Sequence, residues 1–137
     1  MRTSCREFTT KNINNRYVHL TNDAVQKKLD DYGKFESGNK LSYADFQKYL
    51  DSMKINANFE KDIVPKMQNM AKHSMRAVSR KVDPNRRAFS FEIYGYDFMI
   101  DEDLNPWMIE VNTNPCFELS CPYLARLIPQ MVENSLK

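Results

Sequence analysis

Residues 95–115, GYDFMIDEDLNPWMIEVNTNP, contain five acidic side chains and no basic one. Apolar residues alternate with polar ones on both sides of a central loop, DEDLNP, and this pattern is typical of a β-hairpin. If Ile100 pairs with Trp107 across the loop, antiparallel pairing puts Asp97 directly opposite Glu110. Directly opposed side chains point to the same face of a sheet. The spacing therefore predicts two carboxylates side by side on one face of the hairpin.

The face that carries Asp97 and Glu110 has the composition of a site for a hard cation. Two carboxylates about 5 Å apart repel each other by roughly 3 kcal/mol at an effective dielectric constant of about 20, and a bound cation would reverse the sign of this energy. Asn112 adds an amide oxygen to the same face, and its partner Gly95 has no side chain, which leaves room for water or phosphate. Carboxylate and amide oxygens suit Mg²⁺ or Mn²⁺. We predict that Asp97, Glu110 and Asn112 bind Mg²⁺.

The same residues allow two other interpretations of this hairpin. Acidic side chains are common on the solvent-facing side of an antiparallel sheet, so an ordinary exposed face stays open. An EF-hand is the rival metal site, because Asp101, Asp103 and Asn105 occupy the first, third and fifth positions of such a loop. Its sixth position is Pro106 instead of Gly and its twelfth is Asn112 instead of Glu, which disfavours calcium binding of that kind.

The rest of the chain predicts helices around one antiparallel sheet, an α+β fold. Ser42, followed three residues later by Asp45, resembles a capping box at the start of a helix. Pro65 is expected in the first turn of another helix or at a kink in it. The predicted helices are one that starts after Thr21 and Asn22 and runs through Leu29, one over 42–53, one over 59–81, and a last one after a Ser120 cap. The predicted strands are 89–100 and 107–112.

Three basic side chains, Lys72, Arg76 and Arg80, lie four residues apart on the predicted helix over 59–81. This spacing puts them on one side of the helix, which we call the basic face. A solvated helix surface explains such a row without any partner, whereas an acidic partner would give it a function. The sequence alone leaves both interpretations open.

Composition limits the class of protein. With 137 residues, 42% of them hydrophobic, the chain is long enough for about one domain with its own core. A net charge of +2 without a dense basic block does not favour nucleic acid as a partner. Three cysteines and two histidines without ligand spacing do not favour zinc or a disulfide framework. No apolar run is long enough to cross a membrane, so we expect a soluble protein in a reducing compartment, without membrane contact.

Two segments together resemble the tubulin tyrosine ligase and ligase-like family, an ATP-grasp group. Residues 95–115 resemble the family pattern of a strand bearing Asp, a short acidic loop and then W-x-x-E-V-N-x-x-P. Upstream, HLTN at 19–22, followed by Gln26 and Lys27, resembles the H-L-T-N...Q-K signature of the family. The combination is specific, because the two motifs occur in the family's order.

Two further segments extend the resemblance over nearly the whole chain. RTS at 2–4 resembles the end of a preceding strand, and YGKFESGN at 32–39 is similar to a segment of tyrosine ligase itself and of some relatives. The resemblance implies that residues 1–137 form the carboxyl-terminal lobe of an ATP-grasp ligase domain, with an antiparallel sheet flanked by helices. The family's earlier part supplies the adenine pocket and a phosphate-binding lysine, so we expect an incomplete fold without its amino-terminal lobe.

The family joins an amino acid to a tubulin tail at the expense of ATP. A carboxylate takes the γ-phosphate to give an acylphosphate, and an amine then attacks it to form an amide. The resemblance implies ATP and Mg²⁺ as cofactors, with two ions held by Asp97, Glu110 and Asn112. Mg²⁺ would neutralise the triphosphate and position it for in-line transfer.

The resemblance also implies roles for four residues near the start of the chain. Arg2 would contact a substrate carboxylate and His19 would take part in catalysis, while Thr21 and Asn22 join Asn112 in binding ATP or its phosphates. Structural roles stay open for these residues, since His19 could be a hydrogen-bonded core residue and Thr21 or Asn22 a helix cap.

The resemblance leaves two functional classes open, and whether this chain is itself an enzyme is undecided between them. One is a tubulin amino-acid ligase that transfers tyrosine or glutamate, with YGKFESGN slightly favouring tyrosine. The other is a non-catalytic module that binds microtubules or the axoneme. In both, the basic face, Lys72, Arg76 and Arg80, would contact the acidic carboxyl-terminal tail of tubulin. The expected location is the cytoplasm and its cytoskeleton, including a cilium or axoneme.

Overall fold

The computed structural model describes residues 1–119 and 122–137, and its architecture is α+β, as predicted. The chain forms two compact units. We call Met1–Lys54 with Glu118–Lys137 the helical unit, and Ile55–Phe117 the hairpin unit. The predicted Ser120 cap lies outside the described residues. None of the helices in the described ranges has the length and apolar character that crossing a membrane requires.

The helical unit contains four of the helices in the described residues. They are α1 (Arg16–His19), α2 (Asp23–Gln26), α3 (Tyr43–Ser52) and, in the last part of the chain, α5 (Pro122–Ser135), with a 3₁₀ turn at Ser37–Asn39. The predicted N-cap of α3 is confirmed, because the Ser42 hydroxyl accepts the Asp45 N–H at 3.1 Å. The same hydroxyl donates to the Asp45 carboxylate at 2.6 Å.

The prediction that the helix after Thr21 and Asn22 runs through Leu29 is wrong. α2 ends at Gln26, and Leu29 N–H donates to the Gln26 carbonyl three residues earlier, as in a turn. The capping prediction for Asn22 is also wrong, since its side chain makes no capping hydrogen bond although α2 begins directly after it.

Gln26 is fully buried and joins three segments of the helical unit. Its side-chain oxygen accepts the N–H of Cys5 at 2.8 Å. Its side-chain nitrogen donates to the carbonyl of Tyr17 at 3.0 Å and to that of Leu20 at 2.6 Å. A buried amide with all these partners fixes the segments in place, because each of the groups would otherwise need another partner or water.

Asn39, a second buried amide, fixes the loop YGKFESGN. Its side-chain oxygen accepts the Gly33 N–H at 2.7 Å, and its side-chain nitrogen donates to the Thr3 carbonyl at 3.2 Å. Gly33 has a φ of +76°, which a residue with a side chain rarely adopts. Beside this loop, Arg2 pairs with Lys40 in an isolated antiparallel bridge.

The hairpin unit consists of one long helix and a two-stranded sheet. A π-helical turn at Phe59–Ile63 leads into α4 (Val64–Val82), and Pro65 lies in the first turn of α4, as predicted. Proline is well placed there, because the N–H groups of a first turn have no partner within the helix. Phe59 and Ile63 are buried.

The sheet is a hairpin of β1 (Gly95–Ile100) and β2 (Pro106–Asn112). Asp97 lies opposite Glu110, which confirms the predicted pairing at that point. The predicted pair of Ile100 with Trp107 is wrong, because Ile100 lies opposite Pro106. A β-bulge between Asp97 and Phe98 explains both results, since one extra residue in β2 shifts the register beyond that point.

The predicted strand over 89–100 is too long. Residues 89–94 are not extended partners of any strand in the described part of the chain, and β1 begins only at Gly95. Phe89 has a φ of +58°, outside the β region, which interrupts the alternation that the sequence suggests.

α4 packs against one face of the hairpin. The hydroxyl of Tyr96 shares a 3.0 Å hydrogen bond with that of Ser74 in α4, and the Tyr96 and Phe98 rings stack with centroids 6.2 Å apart. Burial alternates along β1, since Tyr96 and Phe98 are half-buried whereas Asp97 and Met99 are exposed. The acidic side chains therefore lie on the face away from α4.

Candidate metal-binding site

The exposed face of the hairpin brings the three predicted ligands together. Asp97 and Glu110 are directly opposed, and Gly95 opposes Asn112 at the next position on the same face. Asn112 is half-buried, and its side-chain nitrogen donates to the Glu110 carboxylate at 3.3 Å. Two carboxylates and one amide are thus neighbours on two strands that hydrogen-bond to each other.

The loop between the strands is closed by Asp101. Its carboxylate accepts the Asn105 N–H at 2.7 Å and the Trp107 indole N–H at 2.8 Å. These bonds, that from Trp107 first, hold the pKa of Asp101 below its usual value. The Asn105 side-chain oxygen accepts from the Lys66 ammonium at 3.1 Å. The side-chain oxygens of Asp101 and Asn105, which an EF-hand would give to calcium, therefore accept hydrogen bonds from the protein. Sequence reasoning missed this role of Asp101.

The expected room beside Gly95 is not there. A Cβ atom placed on Gly95 would lie 3.0 Å from Cβ of Pro115 and 3.7 Å from Cβ of Asn112. The missing side chain admits the proline ring close to the strand. The prediction of space for water or phosphate at this position is therefore wrong. Open space lies instead above Asp97 and Glu110, whose side chains are both exposed.

Exposure also changes the electrostatic energy of the acidic pair. At the dielectric constant of water, two unit charges 4–5 Å apart repel by about 1 kcal/mol, a third of the value expected for a less hydrated pair. A folded unit tolerates that energy without a bound cation. A metal role for the pair thus depends on the arrangement of the donor atoms, and the repulsion alone does not require it.

The surroundings of the pair lack the protein groups that would neutralise it. Within the described residues, no basic side chain forms an ion pair with Asp97 or Glu110. The same ranges contain no group of three or more His, Cys, Asp or Glu side chains arranged to hold a metal ion. An ion here would therefore complete its coordination with Asn112, water or phosphate oxygens, as Mg²⁺ commonly does.

The other residues implied by the resemblance lie in the helical unit. Arg2, Thr21 and Asn22 are exposed, and His19 is half-buried. His19 Nε2 lies 3.0 Å from the Asn12 carbonyl, and its ring meets that of Phe8 edge-on, with centroids 5.6 Å apart. A carbonyl can only accept, so Nε2 carries the proton of this bond.

The basic face is exposed on α4. Lys72, Arg76 and Arg80 all reach solvent, and none of them forms an ion pair with an acidic side chain of the described residues. Three cations spaced by four residues along a helix repel each other mildly. Their charge is therefore available to an external acidic group.

Comparison with known proteins identifies relatives over the whole chain. The family model described as "Tubulin-tyrosine ligase family" matches residues 1–137. Tubulin glycylase 3D of Tetrahymena thermophila is 34% identical over 140 residues, covering 100% of this chain and 13% of that protein. Protein monoglycylase TTLL8 of Homo sapiens is 33% identical over 141 residues, covering 100% of this chain and 16% of that protein.

A third relative carries a different name. Probable tubulin polyglutamylase TTLL9 of Mus musculus is 36% identical over 135 residues, covering 98% of this chain and 28% of that protein. The chain thus spans between 13% and 28% of the length of these three relatives.

Proposed function

Because the chain belongs to the tubulin-tyrosine ligase family, we propose that it is the Mg²⁺- and phosphate-binding part of a ligase that attaches an amino acid to tubulin. The observation that supports this proposal is the pairing of Asp97 with Glu110, with Asn112 bonded to Glu110 on the same open face. In this proposal the chain is the carboxyl-terminal lobe of an ATP-grasp domain.

The donor set fits the ion that such a ligase needs. Asp97 and Glu110 provide carboxylate oxygens, and rotation of the Asn112 amide would turn its oxygen toward the same space. When bound, Mg²⁺ supplies positive charge that offsets the charge of the ATP phosphates. The two carboxylates would hold up to two ions, and Asn112 would also contact a phosphate oxygen.

The residues of the helical unit take the substrate-side roles in this proposal. Arg2 is a cation that can pair with a substrate carboxylate. Asn22, whose side chain makes no capping bond to α2, and the exposed Thr21 offer polar groups that suit contacts with ATP. His19 would act on the acceptor, and its bond to the Asn12 carbonyl would orient the ring.

The transferred amino acid is proposed to be glycine or glutamate. The relatives named above are called glycylases and a polyglutamylase. The loop YGKFESGN, which slightly favoured tyrosine, has a structural explanation, since Gly33 and Asn39 in it form the contacts that shape the loop. The slight preference for tyrosine that the loop suggested stays a prediction beside these two.

The basic face is proposed to bind the acidic tail of tubulin. Lys72, Arg76 and Arg80 are exposed and free of ion pairs within the described residues, so they can attract a glutamate-rich peptide. This observation also supports the second candidate, a non-catalytic module that binds microtubules. Both candidates locate the protein at the cytoskeleton, with the cilium or axoneme as one such place.

Amino-acid transfer by the full-length gene product tests the ligase. We expect incorporation of radiolabelled glycine or glutamate into purified tubulin that requires ATP and Mg²⁺. Glu110→Gln should abolish it, and should leave the free energy of unfolding without metal unchanged or slightly higher, because a repulsion is removed. Glu102→Gln, in the exposed loop, is the matched control and should stay active.

Two results separate the candidates. If Glu110→Gln retained substantial transfer activity, the metal role would be wrong. If the full-length protein neither bound ATP nor transferred an amino acid, yet pelleted with microtubules, the non-catalytic candidate would replace the ligase.

A further inference from the structure

The segment between α4 and β1 is the most exposed stretch of the hairpin unit. Every residue from 84 to 92 is exposed, and Phe89 and Phe91 are 108% and 70% accessible. Few bonds hold the segment. The Arg87 N–H donates to the Asp83 carboxylate at 3.1 Å, and the Ser90 hydroxyl donates to the Arg87 carbonyl at 3.2 Å. Such a segment opens locally at little free-energy cost.

The sequence around Ser90 has the pattern that arginine-directed protein kinases select. Arg87 lies three residues before Ser90 and Arg86 four before, while Phe89 and Phe91 flank the serine. Acidic subsites of such a kinase pair with the arginines, and an apolar subsite takes the residue after the acceptor. We propose that Ser90 is the phosphorylation site of an arginine-directed serine/threonine kinase.

Two other hydroxyl residues have an arginine three positions before them, and the structure disfavours both. Ser79 follows Arg76 but lies within α4, where its hydroxyl donates to the Arg76 carbonyl at 3.1 Å. Binding in an extended conformation would require the end of that helix to unwind. Ser79 therefore has the right neighbours in sequence and the wrong backbone.

Thr9, the remaining candidate, follows Arg6. Arg6 forms an ion pair of 3.2 Å with Asp31, and Thr9 is half-buried and accepts the Lys11 N–H at 3.2 Å. The acidic Glu7 also stands between the arginine and the threonine. In contrast, neither Arg86 nor Arg87 forms an ion pair within the described residues.

The proposed reaction is a single phosphoryl transfer from ATP. The Ser90 oxygen forms a bond to the γ-phosphorus, the bond from that phosphorus to the oxygen bridging to the β-phosphate breaks, and ADP leaves. The hydroxyl proton passes to the catalytic aspartate of the kinase. The product carries about 1.5 to 2 negative charges beside Arg86 and Arg87. It therefore lowers the net positive charge of the segment that follows α4 and its basic face.

Phosphorylation of the full 137-residue chain tests the proposal. The probe is the catalytic subunit of cyclic-AMP-dependent protein kinase with Mg²⁺ and ATP, and tandem mass spectrometry locates the phosphate. We expect one phosphoryl group, at Ser90, lost in Ser90→Ala and kept in Ser90→Thr. Ser79→Ala is the matched control and should leave the rate unchanged. Arg87→Ala should lower the rate at least tenfold, because it removes a charge-assisted pair.

Three outcomes would overturn the proposal. The first is phosphate on Ser79 or Thr9 with Ser90 unmodified. The second is no transfer to the folded chain while a synthetic peptide of residues 83–94 is phosphorylated, since the segment would then be inaccessible. The third is no transfer to that peptide either, since the sequence would then not be recognised. Circular dichroism of each variant is the check that its substitution leaves the fold intact.

Discussion

Replacing Gln26 with Leu tests whether one buried amide organises the helical unit. Leucine keeps a similar side-chain volume and removes all three hydrogen bonds of Gln26. The Tyr17 carbonyl would keep a partner, because the Ser4 hydroxyl donates to it at 2.9 Å. Leu20 is 44% exposed, so its carbonyl can turn to water. The buried N–H of Cys5 would lose its acceptor.

The expected destabilisation follows from these different fates. A buried donor left without an acceptor costs about 1–3 kcal/mol, and each hydrogen bond exchanged for water costs about 0.5–1.5 kcal/mol. Burial of the leucine returns part of this energy. We therefore expect Gln26→Leu to lower the free energy of unfolding by about 2–4 kcal/mol. Urea unfolding followed by far-ultraviolet circular dichroism measures the change, and hydrogen exchange reports on the Cys5 amide.

Gln68→Leu is the control for this substitution. Gln68 is exposed on α4, and the same change there should alter stability by no more than about 0.5 kcal/mol. The Cys5 amide should exchange its hydrogen faster in Gln26→Leu, whereas its exchange rate should be unchanged in Gln68→Leu. An unaltered unfolding midpoint in Gln26→Leu, together with unaltered exchange at Cys5, would refute the organising role of Gln26.

Three further predictions concern the cap of α3, the first residue of β1 and the loop of the hairpin. Ser42→Ala should destabilise α3 by about 1 kcal/mol through loss of its N-cap, measured by urea unfolding. Gly95→Ala should cost about 1–3 kcal/mol, because the new Cβ would lie 3.0 Å from Pro115, and the thermal unfolding midpoint should fall accordingly. The pKa of Asp101 is lowered in the folded chain, so its stabilising effect is present above its ordinary value of 3.8 and is lost as pH falls through the folded pKa. Fluorescence of Trp107, the one tryptophan, should show this loss on acidification. Asp101→Asn should remove this pH dependence of the Trp107 fluorescence.

The register of the hairpin shows how far a sequence pattern can specify a sheet. Alternation correctly predicted that Asp97 faces Glu110, because polar residues must avoid the side that packs on α4. Alternation could not predict the bulge that moves Ile100 opposite Pro106, since a bulge depends on the geometry of the closed loop. That loop is closed by Asp101, through bonds to groups four and six residues away.

Buried amides and irregular segments were harder to predict. Gln26 belongs to a motif that the sequence displays, yet glutamine is usually exposed, so only the structure reveals three partners for it. Residues 89–94 alternate like a strand, but a strand requires a neighbour to pair with its backbone, and the described residues provide none there. The helix start after Ser42 was predictable, because capping depends on local sequence. The predicted start at 59 was too early, since Phe59–Ile63 form a π-helical turn and α4 begins at Val64.

The most direct test of the ion site is paramagnetic broadening by Mn²⁺, a substitute for Mg²⁺, in nuclear magnetic resonance spectra of the chain. We predict that substoichiometric Mn²⁺ broadens the amide signals of Asp97, Glu110 and Asn112 first, that Mg²⁺ competes, and that Glu110→Gln removes the effect. Broadening centred on the acidic loop at 101–103, or broadening that Glu110→Gln leaves unchanged, would contradict the assignment of these three residues as one ion site.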